Sequence, residues 1–431
     1  MEIVRYPPKQ DWQKIIQRPL QQFEVIRKAV LPILQAVRQE GDKAIRRYTL
    51  LYDKVEPDAF QVSNAEIVNS VKEVTDDLKA AIQQAHHNIF KFHKSQVEEV
   101  KKISTMDGVE CWRKSVPIEK VGLYIPGGTS PLFSTVLMLG IPAKIAGCKE
   151  IVMCTPPDGR GKIHPAILYT SHIIGIDRIY KVGGAQAIAA MAYGTVTIPA
   201  VQKIFGPGNQ YVTVAKQLIS QEGIAIDMPA GPSEVAIVAD HSAEAEFVAA
   251  DLLSQAEHGK DSQVLLITTE EKLVKDVKKA IQRQLAQLPR SEIVRDALDN
   301  SKLILVQNID EAIELVNNYA SEHLILMLEN TEAMVEKVIN AGSVFIGKYT
   351  PESAGDYASG TNHTLPTNGF AVAYSGVSLD SFMKKITFQQ ISAKGLQKIG
   401  PIIETMAQAE KLQAHKMAVR VRLKQIEDHK K

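Results

Sequence analysis

Apolar residues recur at three- and four-residue spacing early in the chain. Phe23, Ile26, Val30, Ile33, Leu34 and Val37 share one helical face, with Pro32 set to kink it. Ser63-Asn64-Ala65-Glu66 reads as a capping box opening a second helix. A third, over residues 75–96, carries His86, His87 and His93 among Lys and Gln, which favours a solvated face over a site. Residues 1–20 read as a short polar lead.

After a hairpin expected around Asp107-Gly108, short apolar runs alternate with helical stretches. The first series of strands is Val121–Ile125, Ile151–Thr155, Arg178–Val182 and Lys203–Phe205. The second is Glu234–Ala239, Val264–Thr268, Leu303–Val306, Leu324–Leu328 and Val344–Ile346. Two successive series imply an α/β fold of two Rossmann-like parallel-sheet units with helices on both faces. From about Ser378 the pattern is helical and charged, with no strand signal. Such an arm is too small for its own core and should dock on something, another subunit being a candidate.

Composition narrows the class. At 431 residues, 45% hydrophobic and 23% charged, the chain has the make-up of an ordinary globular protein of two or three domains. A formal net charge of +1 gives no electrostatic case for nucleic acid or an anionic membrane. No run approaches the roughly 18 apolar residues of a membrane span, and the N-terminus has no apolar core of a signal peptide. Cys111, Cys148 and Cys154 lack paired spacing, which points to a reducing compartment and a cytoplasmic location. Cys148 and Cys154 flank an expected buried strand, so all three thiols read as structural rather than as nucleophiles.

Three Gly-rich turns follow strands of the first series: Pro126-Gly127-Gly128-Thr129, Gly183-Gly184-Ala185-Gln186 and Gly206-Pro207-Gly208-Asn209. They suit either a nucleotide crevice or ordinary tight turns. None matches GxGxxG, and no acidic residue stands about 20 residues on as a ribose ligand. Tyr124, Gln186 and Asn209 are the polar groups beside them. Ile226–Glu234, with its Pro-Ala-Gly-Pro backbone, either joins the units or fixes Ser233 and Glu234 in a cleft. Gln255 and His258, three residues apart at a helix end, are roughly 60° apart around the axis, either as metal ligands or as helix-end polar groups. Glu322-His323 pairs a carboxylate with an imidazole, either two proton-transfer groups or a polar patch. The stretch Thr350–Pro366 reads as a structured loop carrying Asp356 and His363. His415 by itself looks like a surface residue.

Together these stretches resemble the histidinol dehydrogenase family. IDMPAGPSE, SQAEHG, YASEHL, SAGDYASGTNHTLPT and AEKLQAHKMA match its functional segments in order, and the resemblance runs from about residue 20 to 430. It implies a homodimeric zinc enzyme oxidising L-histidinol through the aldehyde to L-histidine with two NAD⁺. The zinc ligands would be Gln255, His258, Asp356 and His415, the last in trans. Ser233, Glu322, His323, His363 and Glu410 would contact substrate, Glu410 also in trans, alongside the four metal ligands. Tyr124, Gln186 and Asn209 would contact NAD. His323 would be the base for the hydride-transfer steps and Glu322 would activate water.

The expected division is residues 1–20 as an extension, 21–124 with 234–377 holding most of the zinc and substrate site, 125–233 contacting NAD, and 378–431 as a helical dimerisation arm. Two tensions stand. Glu322 and His323 precede their strand, whereas ligands in parallel sheets gather at strand carboxyl ends; the strand is antiparallel, or the site spans an unusual edge. Glu410 and His415 are roughly 140° apart on an ideal helix, so serving one site requires a break or two approaches. The competing readings are a metallohydrolase using the same ligands and a two-unit binding protein with structural zinc.

Overall fold

The computed structural model describes residues 1–19, 23–127 and 130–429. In chain order its strands begin with β1 (Glu2–Arg5), β2 (Lys102–Met106) and β3 (Val109–Pro117). There follow β4 (Lys120–Tyr124), β5 (Glu150–Thr155), β6 (Arg178–Lys181), β7 (Lys203–Phe205) and β8 (Ala225–Ile226). The second series is β9 (Glu234–Ala239), β10 (Gln263–Thr268), β11 (Lys302–Leu305), β12 (His323–Met327) and β13 (Ser343–Ile346), and β14 (Met383–Ile391) comes last. The described residues form two compact units, one from Met1–Gln96 and Ile118–Phe382, the other from Val97–Pro117 and Met383–Lys431.

The larger unit holds both parallel sheets. β4 to β8 lie in the order β6-β5-β4-β7-β8, and the second series in the order β11-β10-β9-β12-β13, with β1 added at its β11 edge. Numbered along the chain, both read 3-2-1-4-5, the order of a dinucleotide-binding sheet with its switch point between the first and fourth strands. Strands such as Glu234-Val-Ala-Ile-Val-Ala239 are buried at every position, because helices cover both faces and leave no polar side for alternation.

Several local features follow the sequence. Ser63 caps the helix Asn64–Glu73 with Glu66 reciprocating. Pro32 lies inside the helix Phe23–Glu40. The Asp107-Gly108 turn joins β2 to β3 as an antiparallel hairpin.

Four features differ from expectation. The polar lead is integral to the fold: β1 pairs in parallel with β11, and Trp12 and Ile16 are buried. Four residues of edge strand are too few to carry a period. His93 is buried, bonding to the Ile89 carbonyl and to Asn362, because the loop containing Asn362 covers that turn of its helix. The loop Thr350–Pro366 contains a short helix, Glu352–Tyr357. Its Gly355 is there for space rather than as a breaker, since a Cβ would come within 2.7 Å of the Phe345 ring. Finally, the stretch after Ser378 makes a 3-10 turn over Leu379–Phe382 and then β14, before any α-helix.

In the smaller unit β14 pairs antiparallel with β3, and β3 with β2. β14 is exposed along most of its length, so its residues need no apolar alternation, and its main-chain pairing holds it. Helices Ala393–Ala409 and Gln413–Asp428 follow. Between them Lys411 turns the chain at φ +60°, so Glu410 and His415 do not lie on one continuous helix. No helix among the described residues is long and apolar enough to cross a membrane.

Candidate active site

β12 is parallel to both β9 and β13, so Glu322 and His323 sit at the amino edge of the six-stranded sheet. The antiparallel alternative is excluded. The opposite edge, where a ligand is expected, is tied together. The Asp240 carboxylate accepts from the Glu329 and Ser242 N–H groups at 2.9 Å each, and the Asp240 N–H donates to the Met327 carbonyl at 3.2 Å. The helix Ala245–Ala256 runs back from that edge and returns Gln255 and His258 to the amino end of β9.

There the side chains converge. The Glu322 carboxylate accepts from the Glu234 N–H at 2.9 Å and from Gln255 Nε2 at 3.2 Å. Gln255 Oε1 is then buried without a partner. His323 Nδ1 lies 3.3 Å from the Glu234 carbonyl, and its Nε2 lies 3.4 Å from Asp356 Oδ1, an ion-pair distance without hydrogen-bond alignment. His258 Nε2 is 4.0 Å from Asp356 Oδ2. His363 donates from Nδ1 to the Asp356 carbonyl at 2.9 Å and accepts at Nε2 from the Thr135 hydroxyl at 3.1 Å. Ser233 directly precedes β9 at the same edge.

One carboxylate was not read from the sequence. Glu352 is buried, accepts from the Ser254 hydroxyl at 2.6 Å, and offers a ligand atom within 4.8 Å of those of His258 and Asp356. The spacing Glu352–Asp356 is i, i+4 on the short helix, a signal hidden by reading the segment as loop.

The electrostatics follow from packing three carboxylates around one imidazole. Burial pushes Glu322 up to about 8, against the pull of His323. Burial lowers His323, but Glu322, Asp356 and Glu352 outweigh it and raise the imidazole to about 10. Asp356 is held well below the carboxylate range: burial opposes this, and the neighbouring His323 and His363 prevail. A dication beside these groups would reverse that logic, favouring ionised carboxylates and a neutral imidazole. The donor set of two carboxylates, an imidazole and an orphaned amide oxygen fits such an ion. His258, 44% exposed at its side chain, leaves the cluster open on one side.

The five-stranded sheet carries the other predicted residues. Gly206 follows β7 at the switch point, at φ +128°, where a Cβ would lie 2.1 Å from the Tyr124 carbonyl. The Tyr124 hydroxyl accepts from the Gly184 N–H at 3.1 Å. Gln186 is 1% exposed, and both its amide atoms lack a hydrogen-bond partner among the described residues. Asn209 caps the next helix through Oδ1, leaving its amide nitrogen for other use. Gly128 and Thr129 of the first turn lie outside the described residues. Glu410 and His415 belong to the smaller unit and are exposed.

Comparison with known proteins identifies the family. The family model for histidinol dehydrogenase matches residues 16–423. The chain is 61% identical over 423 residues to histidinol dehydrogenase of Bacteroides thetaiotaomicron, spanning 98% of this chain and 99% of that protein. It is 59% identical over 426 residues to the Bacteroides fragilis protein, spanning 99% and 100%. The crystal structure of histidinol dehydrogenase from Elizabethkingia anophelis matches with a TM-score of 0.97 at 57% identity, covering 99% of each chain. The chain belongs to the histidinol dehydrogenase family, oxidoreductases of histidine biosynthesis.

Proposed function

We propose that this chain oxidises L-histidinol to L-histidine through L-histidinaldehyde, reducing two NAD⁺ in sequence, as a cytoplasmic homodimer. The observation that carries the reading is the orphaned oxygen of Gln255, whose amide nitrogen is bonded to Glu322, together with the His258–Glu352–Asp356 group beside His323. Gln255, His258 and Asp356 would hold one zinc per subunit, with His415 of the partner subunit as fourth ligand. A zinc held there would serve as a Lewis acid for the amino and imidazole nitrogens of the substrate, and NAD⁺ would supply the hydride acceptor.

The rest is the work of the chain. Donation from Nδ1 to the Glu234 carbonyl leaves His323 Nε2 to take the hydroxyl proton as hydride departs from the same carbon. Glu322 has Oε2 held by two donors, so Oε1 is its free acceptor. It takes a proton from the water that adds to the aldehyde, and His323 takes the hydroxyl proton of the resulting diol as the second hydride leaves. Ser233, His363 and the partner's Glu410 contact the substrate, and Tyr124, Gln186 and Asn209 contact NAD. In this division the six-stranded sheet carries substrate, the five-stranded sheet carries the nucleotide, and the C-terminal arm reaches the second subunit. Exposed Ile402, Met406, Leu412, Met417 and Val421 on that arm support a protein partner.

Incubating the purified protein with L-histidinol and NAD⁺ and identifying the product by chromatography tests the reading. L-histidine is expected. No turnover by the folded, zinc-loaded protein would return the chain to a binding role.

A further inference from the structure

Arg18 lies in the segment that reads as a polar lead, yet its guanidinium ties Glu234 at the start of β9 to Tyr319 at the end of a distant helix. Nε and Nη2 donate to the two carboxylate oxygens of Glu234 at 2.5 and 2.9 Å, and Nη2 also donates to the Tyr319 carbonyl at 2.6 Å. The guanidinium stacks over the Tyr319 ring, 4.1 Å from its centroid. The Glu234 side chain is 2% exposed, so this is a buried fork-to-fork pair. The Asn368 N–H donates to the same carboxylate at 2.8 Å.

The main chain of Glu234 touches both proton-transfer groups. Its N–H holds Glu322 Oε2, and its carbonyl faces His323 Nδ1. Tyr319 ends the helix Ile309–Tyr319, and Ala320, at φ +51°, turns the chain into Glu322-His323. One guanidinium thus fixes the residue that aligns the pair and the helix end that delivers it. A buried ion pair serving stability alone has no need of these neighbours.

We propose that Arg18 is a positioning residue for the Glu322–His323 pair, acting through Glu234, with its larger effect on the half-reaction that uses Glu322. Glu322 Oε2 has two donors, Glu234 and Gln255, and loosening Glu234 removes one of them. His323 keeps its place in β12 and its contact with Asp356. The inference rests on the roles given to the pair under the proposed function.

The test is Arg18→Gln in the zinc-containing enzyme, with Arg18→Lys beside it. Lysine keeps the charge but cannot reach both Glu234 oxygens and the Tyr319 carbonyl, and it is the variant to read if Arg18→Gln does not fold. We expect NADH formation from L-histidinaldehyde to fall about tenfold or more, the first NADH from L-histidinol to fall less, and zinc content and the KM for L-histidinol to hold. Hydrogen exchange should quicken over residues 231–236 and 320–323 while β10 is unchanged. Equal losses in both half-reactions with loss of zinc, or exchange and rates like wild type in both variants, would overturn the proposal. A wild-type protein that forms no NADH would refute the proposed function, while the exchange measurement would still decide whether Arg18 positions the pair.

Discussion

Gln255 donates its amide nitrogen to the Glu322 carboxylate at 3.2 Å while its own oxygen stays buried without a partner. The bond orients the amide, so under the proposed function one residue both steadies the carboxylate proposed to activate water and offers its free oxygen as a zinc ligand. Gln255→Leu should therefore act twice. Zinc retention in competition with a chelator should weaken about tenfold or more, and turnover should not fully return when zinc is supplied in excess. Full recovery at saturating zinc would mean that the bond to Glu322 is without consequence.

His323 and His415 belong to different compact units, and the proposed site takes the second from the partner. His323→Ala and His415→Ala homodimers should each be nearly inactive. Hybrid dimers contain one site with both residues intact. Unfolding and refolding the two variants together should restore about a quarter of wild-type activity, from random pairing with one good site per hybrid. No recovery on mixing, with dimers re-formed, would place His415 in cis.

Gly206 turns the chain at the switch point of the five-stranded sheet with its α-carbon against the Tyr124 carbonyl. Gly206→Ala introduces a methyl group where there is no room and a φ that alanine resists. Destabilisation of about 1–3 kcal/mol is expected, read as a lowered Tm, together with a raised KM for NAD⁺. An unchanged KM would remove this turn from the nucleotide site.

The buried thiols of Cys148 and Cys154 should be inert. Burial pushes Cys148 up to about 11 and Cys154 higher still, so neither is a thiolate near neutrality. Native protein should resist iodoacetamide at both positions at pH 7.5, and Cys154→Ala should keep the capacity for both oxidations. Loss of the second oxidation alone in Cys154→Ala would reinstate a thiol as aldehyde carrier.

The pattern of the strands was legible because both parallel sheets are buried on two faces, so each strand is a short apolar run between Gly/Pro turns. Gln255, His258, Asp356, Glu322 and His323 come together in the structure, although spacing left each of them open. What sequence could not show depends on distant covering. His93 reads as solvated because its helix carries Lys and Gln, and only the Asn362 loop buries it. Arg18 has no pattern to mark it, since its partners lie 216 and 301 residues away. The strand β14 escapes notice because an exposed strand needs no apolar period. The edge occupied by Glu322 and His323 follows from β12 being parallel while the Asp240 network closes the other end, a pairing fact with no local signature.

The central claim is that one metal-dependent site performs both oxidations, and NADH counted per L-histidinol consumed tests it most directly. The count is to be made before chelation, after it, and after zinc is returned. The account predicts two NADH per L-histidinol, abolished by the chelator and restored by zinc, with Glu322→Gln giving one. One NADH per L-histidinol from the wild-type enzyme, or two that survive complete removal of the metal, would contradict it.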